Sequence, residues 1–256
     1  MIRRLEPVLW PLAAASALVL VWALAVRWTG TTVFPSPAAV ARGLAELANH
    51  GLLVAYIRDS LLRVVVGYGA AVALGVPVGI YLGSHPGAAR AVNPLIQLLR
   101  PISPLAWIPV AIVLFGIADA AAISLIFLAA LFPILVSAMN GVRGVSDMYR
   151  HAGENFGLSR AGLLTRVIFP AALPEILTGL RIALGIAWIV VVAAEMIAVN
   201  SGLGYLVIDS RNAGKRYDLV VAAMLLIGLI GLVLNLLLQR LSRARAVRWG
   251  FREESA

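Results

Sequence analysis

Six apolar runs divide the chain, at about residues 8–28, 60–83, 93–115, 120–142, 172–198 and 219–239. Each is close to the ~20 residues a helix needs to cross the hydrocarbon core of a bilayer. A helix satisfies its own backbone hydrogen bonds, which an open strand cannot do in lipid, so the pattern predicts an all-α membrane protein of six transmembrane helices. The first run has no small-residue cleavage site and is read as a retained span. The segment "FPSPAAVARGLAELANHG", Phe34 to Gly51, opens on Pro-Ser-Pro and places Val40, Leu44 and Leu47 at helical spacing, which predicts a short interfacial helix. The expected organisation is an N-terminal span in 1–33, an outer interfacial helix in 34–59, a core of five spans in 60–240 and a basic tail in 241–256.

The third run is unusual. "NPLIQLLRPISPLAWIP" puts Pro94, Pro101, Pro104 and Pro109 in one segment. Proline removes an intrahelical hydrogen bond, and backbone freed at membrane depth is tolerated only where protein or a water-filled cavity receives it. A kinked or broken pore wall is expected, with Arg100, Ser103 and Trp107 as candidates for the solute path. Arg100 stands directly before Pro101, where it can meet an anion. Glu195 in "AAEMIA" is a further candidate on that path, with a salt bridge to another helix as its expected role. Arg63 is expected to snorkel from the outer end of its helix, and Arg181 to sit near the elbow described next.

Between the fourth and fifth runs the chain breaks into "HAGENFGLSRAGLLTRVIFPAALP", residues 151–174. Ser146 is a fitting N-cap, Asp147 places negative charge on the first turn, and Gly157 fits a left-handed position after the last turn, so 147–156 reads as a short helix. Ser159 caps a second helix that is expected to run until Pro170 and Pro174. Both are too short and polar to span, which makes 144–170 an ordered elbow between spans. Ala152, Gly153 and Gly157 allow another backbone to approach, while Arg150, His151 and Glu154 offer polar contacts around it.

Composition narrows the classes. With 61% hydrophobic and 13% charged residues and a mean hydropathy of +0.95, the chain cannot furnish the polar shell of a soluble domain. The net charge of +9 sits at the edges of the apolar runs and not in one patch, which argues for membrane topology and against nucleic acid. Of 21 Lys and Arg residues, twelve fall on the elbow side of the spans, so the positive-inside rule predicts a cytoplasmic N-terminus and elbow. With no cysteine there is no thiolate nucleophile or thiolate metal site. Lys215 is the only lysine and Asp209 stands six residues before it, so a phosphate-binding P-loop is absent. His50, His85 and His151 fall in different connections without an H-E-x-x-H, and Ser201 lacks the preceding glycine of a nucleophile elbow. An enzyme is therefore not expected, and neither a metal nor a cofactor is indicated in this chain.

A small-residue triplet, three residues, Gly, then nine residues before a β-branched residue and Pro resembles the EAA motif of bacterial binding-protein-dependent ABC importer permeases. Here His151-Ala152-Gly153 stands at the triplet, followed by Gly157 and then by Val167, Phe169 and Pro170. The chain departs from the pattern with His for Glu and Gly for the second Ala, and Glu154 stands one position later. "FPSP", "DSLLRVVVGYGAAVALGVPVGIYLG", "NPLIQLLRPISPLAWIPVAIVLFGI" and "LPEILTGLRIALGIAWIVVVAAEMIA" look like the nitrate, sulfonate, taurine and bicarbonate branch of that family.

The resemblance implies a type I ABC importer of the bacterial inner membrane, with a MetI-like arrangement of helices. Two permease copies, expected as a homodimer in the lipid bilayer, would form the pore. Two cytoplasmic ATPase subunits would carry ATP and Mg, and a periplasmic or lipid-anchored binding protein would deliver a small anion. The elbow would be the coupling helix, with Arg150, His151, Ala152, Gly153, Glu154, Gly157 and Leu158 as its contact residues. Aromatic carboxylates or vitamin precursors are the alternative solutes. An ion-gradient-coupled carrier is the rival class, and inverted repeats across the two halves are not evident.

Overall fold

The structure, a computed structural model, describes residues 6–30, 33–212 and 214–242. The N-terminal bases Arg3 and Arg4 and the side chains of the basic tail 241–256 lie outside the described residues. The helices are α1 (Glu6–Thr29), α2 (Pro37–Asn49), α3 (Leu52–Ser84), α4 (Pro86–Leu99), α5 (Ile108–Phe115) and α6 (Asp119–Arg143). After them come α7 (Asp147–Asn155), α8 (Arg160–Leu163), α9 (Phe169–Glu195), α10 (Leu203–Asn212) and α11 (Tyr217–Ser242). Among the described residues five helices are long and apolar enough to cross a membrane, and the bent pair Pro86–Leu99 and Pro104–Phe115, if it is one span, supplies a sixth by length.

The core is α6 held between α3 and α9. On α3 a small residue recurs every fourth position, Gly67, Ala71, Gly75, Gly79 and Gly83, and this row lies directly on α6. A Cβ on Gly79 would stand 2.5 Å from the Leu135 carbonyl oxygen, and one on Gly83 2.8 Å from that of Met139. Lipid offers no hydrophobic drive for two spans to associate, so the close approach permitted by small residues supplies the dispersion contact instead. α9 meets the other side of α6, where a Cβ on Gly141 would lie 3.0 Å from the Ala172 oxygen. Polar tips of aromatic residues are used inside the bundle: the Tyr68 hydroxyl donates to the Leu180 carbonyl at 3.0 Å and the Trp188 indole to that of Ile227 at 3.0 Å. These bonds tie α3 to α9 and α9 to α11.

The contacts fix the directions. Gly67 meets Ile126 and Gly83 meets Val142, so α3 and α6 run parallel, and the chain from Ser84 to Asp119 must return across the bundle. It does so as α4 and the segment Pro104–Phe115, which meet at 82°. The break expected within 93–115 is present, as two helices bent at residues 100–103, and the segment begins at Pro86, ahead of the apolar run. Pro101 and Pro104 withdraw two donors within one turn, and no helix continues across residues 100–103.

Other expectations shift as well. The second span starts at Leu52, eight residues before the apolar run. α2 forms as expected, with Ser36 Oγ accepting from the Ala39 N–H at 3.3 Å, but it is packed into the body of the protein. Val40, Gly43 and Leu47 are buried, and a Cβ on Gly43 would touch Leu219 of α11. At the surface Arg216 joins α2 to the start of α11, bonding to Glu46 Oε2 at 2.6 Å and Asp218 Oδ2 at 2.8 Å. The hydrogen bond from Arg216 holds the Glu46 carboxyl below its ordinary range. The outer stretch between α9 and α11 carries the ten-residue helix α10. The second elbow helix does not stop at Pro170 and Pro174; it runs on as one helix from Arg160 to Glu195. Pro170 lies inside this continuous helix, directly after a π turn over Leu164–Ile168.

Candidate functional site

Besides the Arg216 cluster, polar chemistry among the described residues gathers at the elbow, at the break between α4 and α5, and in a buried knot at the opposite end of the bundle from the elbow. The elbow is built by its caps. Ser146 Oγ accepts from the Met148 N–H at 3.3 Å and starts α7. At the other end the Gly157 N–H donates to the Glu154 carbonyl at 2.8 Å and the Leu158 N–H to that of Gly153 at 3.1 Å, while Gly157 adopts φ +77°. This is a Schellman closure, and it requires the left-handed conformation that glycine adopts without strain.

The expected contact residues divide into two groups. His151, Ala152, Glu154 and Gly157 are exposed, with His151 Nδ1 3.4 Å from Glu154 Oε2. Gly157 faces open space. Arg150 and Gly153 are turned inward. Arg150 donates to the Val142 carbonyl at 2.7 Å and so closes the end of α6, and a Cβ on Gly153 would lie 2.7 Å from Leu163 Cδ1 and 3.4 Å from Val167. Leu158 packs beside them, half-buried. The smallness of Gly153 therefore serves contact within the chain. Met148, Tyr149 and Phe156 are exposed, Phe156 by 87%. Sequence reasoning passed over them because three apolar residues in a polar helix look like ordinary packing.

At the break, a cavity of about 330 Å³ is lined by Arg100 and Trp107 together with Leu128, Phe132, Ile182, Ile186 and further apolar groups. Arg100 is its only charged lining residue. Ser103 precedes the 3-10 turn Pro104–Trp107 and lies outside the lining, as does Glu195.

Glu195 belongs to the knot. Fully buried, it accepts from Arg63 Nη1 at 2.7 Å through Oε1, and from Ser60 Oγ and the Gly204 N–H, both at 2.9 Å, through Oε2. Arg63 is 4% exposed and does not snorkel. Its remaining donors reach Asp119 Oδ1 at 2.7 Å, the Ser201 carbonyl at 2.8 Å and Ser201 Oγ at 2.6 Å. The expected salt bridge of Glu195 to another helix is present, and the knot joins α3, the start of α6, the end of α9 and α10. Every polar atom of the pair is used, which is the condition for holding two charges away from water.

A family model described as "Binding-protein-dependent transport system inner membrane component" matches residues 75–248. The chain belongs to this family. The permease is 39% identical to the taurine transport system permease protein TauC of Escherichia coli, over 94% of this chain and 92% of that protein. It is 35% identical to the nitrate import permease protein NrtB of a Synechocystis species, over 89% and 86% of the two chains. Its fold matches a chain of the MetNI methionine ABC transporter in inward-facing conformations, with a TM-score of 0.66 at 21% identity, covering 78% of this chain and 97% of that one. The permease is accordingly a transport subunit of the inner membrane and not an enzyme, and ATP hydrolysis belongs to a separate subunit. Membership also implies a solute-binding protein as partner.

Proposed function

We propose that the permease, as a homodimer with its N-terminus in the cytoplasm, forms the pore of an importer for a small anion and takes its power stroke from an ATPase through the elbow. The observation that carries this is the elbow itself: a doubly capped polar helix, set between two long spans, with Met148, Tyr149 and Phe156 exposed around His151 and Glu154. Apolar side chains that none of the described helices covers, rimmed by charge, match the composition of a contact surface. Docking of this kind drives transport only if it differs between pore states. ATP and Mg would be held by the ATPase partner.

Gly157→Trp tests the docking. The side chain enters open space and strains the left-handed turn by about 1–2 kcal/mol, which leaves the spans in place, but it blocks the approach of a partner; uptake is expected to fall by at least roughly tenfold, the effect of losing about 1.4 kcal/mol of coupling. Gly157→Ala, which carries the same backbone strain without the bulk, is the control and keeps most uptake. Native uptake by the Trp variant sinks the docking role.

The names of the relatives favour taurine- or nitrate-type solutes, and Arg100 is the residue proposed to meet the anion. Arg100→Gln is expected to lower uptake about tenfold or more, since a hydrogen bond to a charged group is worth ~1.5–3 kcal/mol, while ATPase association stays unchanged. Unaltered uptake removes Arg100 from the path. One observation supports a second reading, an anion with an apolar body: around Arg100 the cavity wall is apolar and includes Trp107 and Phe132. Competition of alkyl or aryl sulfonates against nitrate for uptake separates the two.

A further inference from the structure

The permease carries a π turn where the elbow meets the bundle. Across Leu164–Ile168 the helix widens, and the Phe169 N–H donates to the Leu164 carbonyl five residues back. A π turn holds one residue more than the α turn it replaces. Proline alone does not demand it, because Pro77, Pro133 and Pro174 all sit inside helices that stay α-helical. What distinguishes this place is its neighbour: the buried Gly153 of α7 lies against Leu163 and Val167, so the elbow rests on the turn itself.

Beyond the turn α9 has no freedom to slide. The close fits of Gly141 on Ala172 and of Gly179 on Ser137 lock its register along α6. Displacement of α7 therefore meets a rigid helix through one compliant turn. From this we propose that the π turn is a hinge between elbow and bundle, that Thr165 is its spare residue, and that Pro170 is a positioning residue that keeps the widened turn from closing into an α-helix. Thr165 is exposed and its hydroxyl bonds only to the Ala161 and Gly162 carbonyls, so it contributes to the hinge by its place in the backbone and not by packing. Pro170 can donate to no carbonyl of the turn, which lowers the gain from regular α geometry there. The inference rests on the elbow being the ATPase contact.

The test uses the reconstituted complex of permease, ATPase and binding protein, with ATP and vanadate as the trapping probe. In the native complex, deuterium exchange over 164–169 is expected to change on trapping while that over 176–190 does not. Deletion of Thr165 is expected to slow exchange over 164–169 to the level of the adjoining helix in both states. It should also lower the stimulation of ATP hydrolysis by the binding protein between about twofold and about thirtyfold, the range for residues that carry coupling without touching a ligand. Pro170→Ala shifts both readouts in the same direction. If ATPase is bound to the native permease and exchange over 164–169 is the same in both states, the hinge is wrong; that comparison needs no variant to fold. Native stimulation in the deletion variant also overturns it. If no ATPase binds the native permease at all, the docking role of the elbow fails, and the hinge with it.

Discussion

Arg63→Ala is expected to destabilise the permease by roughly 3–5 kcal/mol, the cost of leaving a buried charge without its partner. Glu195 has no exposed surface, and its Oε1 receives only the Arg63 guanidinium, so the carboxylate cannot turn to water when that group is gone. In a chain of this size the loss corresponds to a fall in Tm on the order of 10 °C, readable by thermal unfolding of purified protein in detergent. The double change Arg63→Met with Glu195→Leu is expected to cost less than either single change, because it removes both desolvated charges together. A loss of under about 1 kcal/mol for Arg63→Ala, typical of an exposed pair, would show that the knot is open to solvent.

Gly79→Leu is the second large effect. The first carbon of any side chain there would stand 2.5 Å from the Leu135 carbonyl oxygen and 2.6 Å from Ala138 Cβ. One of these is backbone in the middle of α6, so relief requires the two helices to part. Overpacking of this kind costs ~1–3 kcal/mol or more, and the upper end is expected here. Gly69, two residues off the packed row, has nothing within 4 Å, and Gly69→Ala should be neutral or gain up to about 1 kcal/mol from helix propensity. Folded yield and thermal stability of the two variants decide the matter: equal behaviour would mean that the glycine row does not hold α3 to α6.

The same row explains what was legible in the sequence and what was not. Apolar run length located five spans closely, because the bilayer selects for length and hydropathy and little else. The caps at Ser146, Ser159 and Gly157 were also legible, since each is a local bond between near neighbours in the chain. Arg63 was misjudged as a lipid-facing residue because its distance from the helix end was considered and its face was not. It stands four residues before Gly67, on the row that packs against α6, and that spacing placed it inward. Asp119, Ser60 and Ser201 carried no such signal, being joined to Arg63 and Glu195 only by the fold. The break at residues 100–103 was legible from its prolines, but its angle is set by neighbours and not by proline count. At Pro170 the opposite error arose: proline was taken as a stop, yet the helix continues through it behind a π turn.

α1 differs from every other span. Within the chain it leans on the turn before α2, through the Trp22 indole donating to the Pro35 carbonyl at 3.1 Å and the ring of Trp22 set edge-on to Phe34, while no residue of the apolar window Leu12–Thr29 is fully buried. Its own fold therefore imposes on α1 almost no requirement of shape, only enough oily length to cross. The demands of shape fall instead on the glycine-lined helices, and the shared family pattern over 75–248 takes in Gly75, Gly79 and Gly83 but none of α1.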